Sequence, residues 1–321
     1  MAKRNDTKEI TITRIYDAPL KAVWDAWTDV EQVAKWWGPR GFTITTHGKD
    51  LRAGGFWDYT MHGPDKDWPN YTVYHQVEHQ ALLVYDHGGT KTTPPLFRVT
   101  AKFAAVEGGK KTKLEMSMEF ESVEKARESR AFIKKAGGES TWDRLGEYLE
   151  KTIHGHERFL INRSFDAPIA TMWKMWTTPE HVAKWTPPTG ATMQFIEVDI
   201  RAGGKSRYSM TTDTGVVMYG RASYLELTEP NRIVYTQEFC DEKGNLSRHP
   251  FAPTWPATML TTVTLTEEGP DCTRVTVSWA PHGNVTAEEL ATFVQARAGM
   301  TGGWTGSFDK LEAYLETSSH A

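Results

Sequence analysis

Few side chains of this 321-residue chain are spaced for covalent chemistry. Trp57, Tyr59 and Met61 alternate along one predicted strand, and a second, similar stretch carries Ser206, Tyr208 and Met210 at the same positions. Met116 and Met118 on a later strand, with Trp142, Trp304 and Phe308 from two predicted C-terminal helices, extend this set. Together they make an aromatic and thioether surface with a few polar tips. Such a surface suits either a plain packed core or a pocket that fits a ligand while orienting it, because methionine adapts to shape and tyrosine orients through its hydroxyl. For proton transfer the candidates are His75 and Tyr59. His75 alternates with Val73 and Val77 and has two readings, a structural or exposed histidine, which is favoured, and an inward one whose neutral imidazole can act as acid or base. Asp58 and Glu119 fall on the opposite parity and read as solvated.

His154-Gly155-His156 lies in a polar joint and implies no third ligand, so no metal is expected there. No nucleophile elbow, Walker loop, dinucleotide fingerprint or zinc signature occurs, and no cofactor is implied.

The elements that position these residues are written twice. Val33-Ala34-Lys35-Trp36 and Arg52-Ala53-Gly54-Gly55 return 149 positions later as Val182-Ala183-Lys184-Trp185 and Arg201-Ala202-Gly203-Gly204. The same offset carries Asp17-Ala18-Pro19 onto Asp166-Ala167-Pro168 and Trp24 and Trp27 onto Trp173 and Trp176. A period of this length means two whole domains, since solenoid repeats run about 20–50 residues. The expected domains are 1–152 and 153–321.

Each copy opens with a mostly β-branched strand, 9–16 in the first. Asp17 is expected to cap a helix carrying Leu20, Val23, Trp24 and Trp27, and Thr28-Asp29 to start a second short one. Strands over 42–50, 56–62, 71–78, 82–87, 96–106 and 112–120 follow, separated mostly by Gly and Pro, and should pair antiparallel as a meander. Leu114, Met116, Met118 and Phe120 alternate with charged or polar residues, so one sheet face is covered. The cover is a long helix from Ser122 to about Lys151, with Gly137-Gly138 as a soft spot. The second copy repeats that feature at Gly302-Gly303. It is also longer, mostly at Asp241 to Pro256, a loop that reads equally as a candidate lid or as a plain insertion.

Composition narrows the partners. Net charge is -4 and charges are mixed in sign, which makes nucleic acid a poor fit. Two cysteines, Cys240 and Cys272, rule out a disulfide framework and suit a cytoplasmic setting. No run of 18 or more apolar residues suggests a membrane span, and no apolar stretch follows the first residues as a signal peptide requires.

One strand, two short helices, a meander and a long C-terminal helix make an α+β domain whose sheet must curl around that helix. This is the helix-grip order of the START-like (SRPBCC) superfamily. The residues Asp17-Ala18-Pro19, Val23-Trp24-Asp25-Ala26-Trp27-Thr28, Lys35-Trp36-Trp37-Gly38-Pro39, Leu51-Arg52-Ala53-Gly54-Gly55 and Trp142-Asp143-Arg144-Leu145 resemble the bacterial family named for its similarity to the activator of the Hsp90 ATPase. The resemblance covers nearly all of both copies. It implies a cavity between sheet and helix for a lipid-like, aromatic or polyketide ligand, and with the aromatic and methionine face it makes non-enzymatic binding of a small hydrophobic ligand there the leading expectation. It also implies two alternatives: a cyclase- or hydrolase-type enzyme using that cavity, and a chaperone-linked interaction module. A contact between copies of the chain belongs with the second. Copy two departs where Trp37-Gly38 becomes Thr186-Pro187 and Phe56-Trp57 becomes Lys205-Ser206, so its cavity should differ in shape and polarity.

Overall fold

Alternation of apolar and polar residues along the early strands sets the first sheet. In a computed structural model, which describes residues 7–136 and 140–318, the chain divides into two units, Met1–His156 and Glu157–Ala321. The first contains β1 (Glu9–Tyr16), α1 (Leu20–Thr28), α2 (Val30–Val33), β2 (Thr43–Lys49), β3 (Phe56–His62), β4 (Asp67–Glu78), β5 (Leu82–His87), β6 (Phe97–Val106), β7 (Lys111–Glu119), α3 (Val123–Ala136) and α4 (Ser140–Leu149). All seven strands form one antiparallel sheet in the order β1-β7-β6-β5-β4-β3-β2. The expected α+β helix-grip architecture is the observed one. The strand expected at 71–78 begins four residues earlier, because Asp67–Tyr71 continue the pairing with β3.

The second unit repeats this order: β8 (Phe159–Phe165), α5 (Ile169–Thr177), α6 (Pro179–Trp185), β9 (Ala191–Glu197), β10 (Lys205–Thr212), β11 (Val217–Thr228), β12 (Arg232–Cys240), β13 (Thr258–Gly269), β14 (Cys272–Pro281), α7 (Ala287–Gln295) and α8 (Arg297–Ser318). Its sheet runs β8-β14-β13-β12-β11-β10-β9. Gly302-Gly303 lies inside α8, whereas Gly137-Gly138 lies outside the described residues.

The repeated Arg-Ala-Gly-Gly turns are structural. Gly54 and Gly203 have φ of +78° and +80°, a conformation that costs a side-chain-bearing residue energy. A Cβ on Gly55 or Gly204 would stand 2.1 or 2.2 Å from the carbonyl oxygen of Asp50 or Asp199. Only a glycine fits there.

Two details differ from expectation at the helix starts. Pro19 and Pro168 occupy the N-cap positions of α1 and α5 with no side-chain cap, so Asp17 does not serve as one. Asp29 does cap α2, accepting from the Gln32 amide at 2.9 Å. The last helix of each unit is clipped to the loop after the second. The Arg144 guanidinium donates to the carbonyls of Gly38, Pro39 and Phe42, and Lys310 donates to that of Pro187. These bonds fix how deeply the helix sits in the sheet, and so the space left beneath it.

Candidate functional site

In the first unit, strand parity puts Trp57 and Tyr59 inside, at 3% and 0% exposure, with Trp37 and Trp142 beside them. Trp57 stacks on Tyr59 with centroids 4.1 Å apart and meets Trp37 edge-on at 5.2 Å. The Trp37 indole donates to the Tyr59 hydroxyl at 3.0 Å, and Trp142 stacks on Trp27. Met116 and Met118 are buried in the same core, and Met61 packs at its edge. Among the described residues these rings pack against one another between sheet and helix. Burial also pushes the Tyr59 hydroxyl far above its ordinary range.

His75 is not part of this interior. It is exposed, and its Nε2 lies 2.8 Å from the Asp86 carboxylate, which Arg98 also holds. The reason is a bulge: the β4–β5 register shifts between Tyr74 and Gln76. An extra residue in one strand reverses parity beyond it, so Tyr74 and Val77 pack inward while His75 points out. The histidine that does lie against the core is His87, set among Phe97, Trp37 and Tyr85 with ring centroids at 4.9, 6.2 and 6.4 Å. Burial lowers its pKa to about 4, so it is uncharged near neutrality.

The second unit is open at the corresponding place. Thr186 and Ser206 stand at the positions of Trp37 and Trp57, and a cavity of about 340 Å³ lies between the sheet and α8. Tyr208 and Met210 of β10 line it together with Met218 and Gly220 of β11. Farther across the sheet come Tyr235, Gln237, Met259 and Trp279, and the helix side supplies Met300, Gly303, Trp304 and Ser307. The candidate lid contributes His249, Trp255 and Pro256. It is fastened to α7 by an Arg248–Glu289 ion pair and a Thr254–Thr292 hydroxyl contact of 2.9 Å. Of the residues singled out from sequence, Tyr208, Met210 and Trp304 line the cavity. Phe308 is fully buried against Phe165 and Trp304.

Two features keep Tyr208 at the cavity wall. It pairs across the ladder with Gly220, and a Cβ at Gly220 would come within 2.5 Å of the tyrosine Cζ and hydroxyl oxygen. The bare glycine therefore lets the ring lie flat on β11. The hydroxyl then accepts from the Gln237 amide at 3.5 Å. Gln237 in turn accepts from the Thr261 hydroxyl at 2.9 Å, and Thr261 accepts from the Trp279 indole at 2.7 Å. Burial pushes the Tyr208 hydroxyl up to about 12. It is a hydrogen-bond donor at neutral pH and a poor base. Glu238, at the rim, is held by Arg221 and by the Thr258 hydroxyl at 2.8 Å.

Residues 17–150 and 166–316 both match the family model described as activator of Hsp90 ATPase homolog 1-like protein. The chain belongs to this family. Solved structures similar to the chain include protein Ms6760 of Mycobacterium smegmatis, 23% identical over 49% of this chain and 90% of its own, with a TM-score of 0.42. A protein from Arthrobacter aurescens is 24% identical over 50% of this chain and 86% of its own, with a TM-score of 0.43. The di-domain ARO/CYC protein BexL of the BE-7585A biosynthetic pathway is 14% identical over 95% of this chain and 97% of its own, with a TM-score of 0.37. No curated protein matches the chain.

Within this activator-homologue framework, several cavity residues had no sequence signal of their own. Gln237, Thr261 and Trp279 are unremarkable strand residues until the register brings them together. His249 and Trp255 were legible only as members of a long loop. Elsewhere, Asp17, Glu150 and His154 place one ligand atom each within 4.8 Å of one another. The His154 Nε2, however, is engaged by the Asp17 backbone oxygen at 2.9 Å. Cys240 and Cys272 are both free thiols. Among the described residues no helix is long and apolar enough to cross a membrane.

Proposed function

We propose that the chain binds a small hydrophobic ligand without turning it over, and that the second unit is the one that binds. The observation that carries this reading is a cavity of about 340 Å³ lined by Thr186, which stands where the first unit has Trp37, in a core that also carries Ser206 in place of Trp57. Aromatic side chains each bury about 150–250 Å², so removing two such rings from one core leaves room for a ligand of two or three fused rings. The walls are those of a ligand site: methionines that adapt, aromatic faces, and a few polar groups at one end. A filled core serves as the counterpart in the first unit.

The enzymatic alternative drew on His75 and Tyr59 as acid and base. His75 sits on the outer face, and Tyr59 is sealed in the first core, so those two residues give it no support. A chaperone-linked role rests on the family resemblance.

Thermal unfolding of the full chain against a panel of neutral aromatics and lipids tests the reading. Binding linkage raises the midpoint with ligand concentration, by about 2.7 kcal/mol of stability at a hundred times Kd. The double variant Thr186→Trp/Ser206→Trp, which restores both rings, should abolish the shift. An unchanged shift in that variant would place binding elsewhere and sink the assignment.

A further inference from the structure

The hydrogen bonds at the closed end of the second cavity run in one direction. An indole N–H can only donate, so Trp279 must donate to Thr261 at 2.7 Å. With that contact accepted, the Thr261 hydroxyl proton goes to the Gln237 carbonyl oxygen, 2.9 Å away. The side-chain amide of Gln237 is thereby oriented with its NH₂ toward Tyr208, whose oxygen accepts at 3.5 Å.

The chain ends on a proton. The Tyr208 oxygen is an acceptor from Gln237, and among the described residues its O–H meets no acceptor. A polar hydrogen facing an apolar cavity without a partner is costly. The ligand must therefore supply the missing acceptor. Charge selects further: among the described residues no lysine or arginine lines the cavity, and the carboxylate there, Glu238, is already paired with Arg221. An anionic acceptor such as a carboxylate would enter without a counter-charge, which is expensive in an apolar site.

Resting on the cavity reading above, we infer that the second unit selects neutral hydrophobic molecules that carry a carbonyl-type oxygen, held by the Tyr208 hydroxyl. Trp279, Thr261 and Gln237 are positioning residues that set the direction of that donor. A matching hydrocarbon fits the same walls and leaves the hydroxyl unpaired.

The test uses 9-fluorenone and fluorene, which share a ring skeleton and differ in one carbonyl. Both are titrated calorimetrically into the full chain, and the carbonyl stretch of bound fluorenone is recorded by infrared difference spectroscopy. The expected result is fluorenone binding about three- to tenfold tighter, the equivalent of one net hydrogen bond. The stretch should shift to lower wavenumber than in an alkane. Tyr208→Phe should remove the preference and the shift while still binding fluorene. The infrared measurement on the unmodified protein stands even if that variant fails to fold. Equal affinities with an unshifted carbonyl would overturn the inference and leave the cavity reading intact. Failure of both compounds to bind would overturn the cavity reading, and the inference with it.

Discussion

Gly220→Ala separates the cost of folding from the cost of binding. The new Cβ would lie 2.5 Å from the Cζ and hydroxyl oxygen of Tyr208 and 2.7 Å from its Cε2. Carbon atoms rest about 3.5–4.0 Å apart, so the two must separate by roughly 1 Å. β11 is paired on both sides, by β10 and β12, and its backbone resists the move. The tyrosine ring does not, because a cavity of about 340 Å³ lies on its free side. The ring should swing inward and lose the bond to Gln237, a net loss of about 0.5–1.5 kcal/mol. Replacing a strand glycine returns roughly 0.4–1 kcal/mol through the unfolded chain. Stability should therefore change by about 1 kcal/mol or less. Affinity should fall at least about tenfold, or 1.4 kcal/mol, since the ring now fills ligand space and its hydroxyl is misplaced. Urea unfolding and calorimetric titration with fluorenone measure the two quantities. Unchanged affinity, or a stability loss of several kcal/mol, would refute the argument that the ring is the part that moves.

Other substitutions probe the rest of the construction. Gly204→Ala puts a Cβ 2.2 Å from a backbone oxygen that cannot step aside; it should cost about 1–3 kcal/mol or more in denaturant unfolding, and a neutral result would contradict the turn geometry. Trp57→Ser in the first unit removes a ring that is 3% exposed and should cost about 3–5 kcal/mol, read by the same denaturant assay; if an apolar ligand then restores stability, the first core can be converted into a cavity. His87 gives a pH test. Its pKa is held near 4 in the folded chain against about 6.5 when unfolded, so its neutral form stabilises the fold above about pH 6.5. That contribution, on the order of 2–3 kcal/mol, is lost as pH falls from about 6.5 toward 4. His87→Gln should flatten this part of the stability profile relative to wild type. Parallel profiles for the two proteins would show that the imidazole pays no burial cost.

The fold was legible because its signals are local and doubled. Period-two alternation in residues such as Leu114, Met116 and Met118 marks buried strand faces, and every strand of the first copy is echoed in the second. The interior of the first unit followed from the same parity, which buried Trp57 and Tyr59. The inward reading of His75 fails because a bulge at Tyr74–Gln76 reverses parity without any glycine or proline to announce it. The cavity's polar end was illegible for a different reason. Gln237, Thr261 and Trp279 lie on three neighbouring strands, and their bonds depend on a register that only the paired sheet defines.

That register also explains how one backbone came to hold two kinds of interior. Tyr85 and Val99 pair across β5 and β6 as Tyr235 and Thr261 do across β12 and β13. His87 opposite Phe97 matches Gln237 opposite Met259, and Met118 opposite Val99 matches Trp279 opposite Thr261. The exchanges from the first copy to the second are therefore Trp37 to Thr186, Trp57 to Ser206, His87 to Gln237, Val99 to Thr261 and Met118 to Trp279. The first two empty the space. The last three install a donor-only indole, a relay hydroxyl and an amide that together aim Tyr208. Tyr59 lacks that relay and instead accepts from Trp37 at 3.0 Å. Opening the core alone would have left a greasy void, and installing the relay alone would have buried polar groups under tryptophan. Either change by itself costs stability without giving a ligand anything to hold, so the two sets make sense only together.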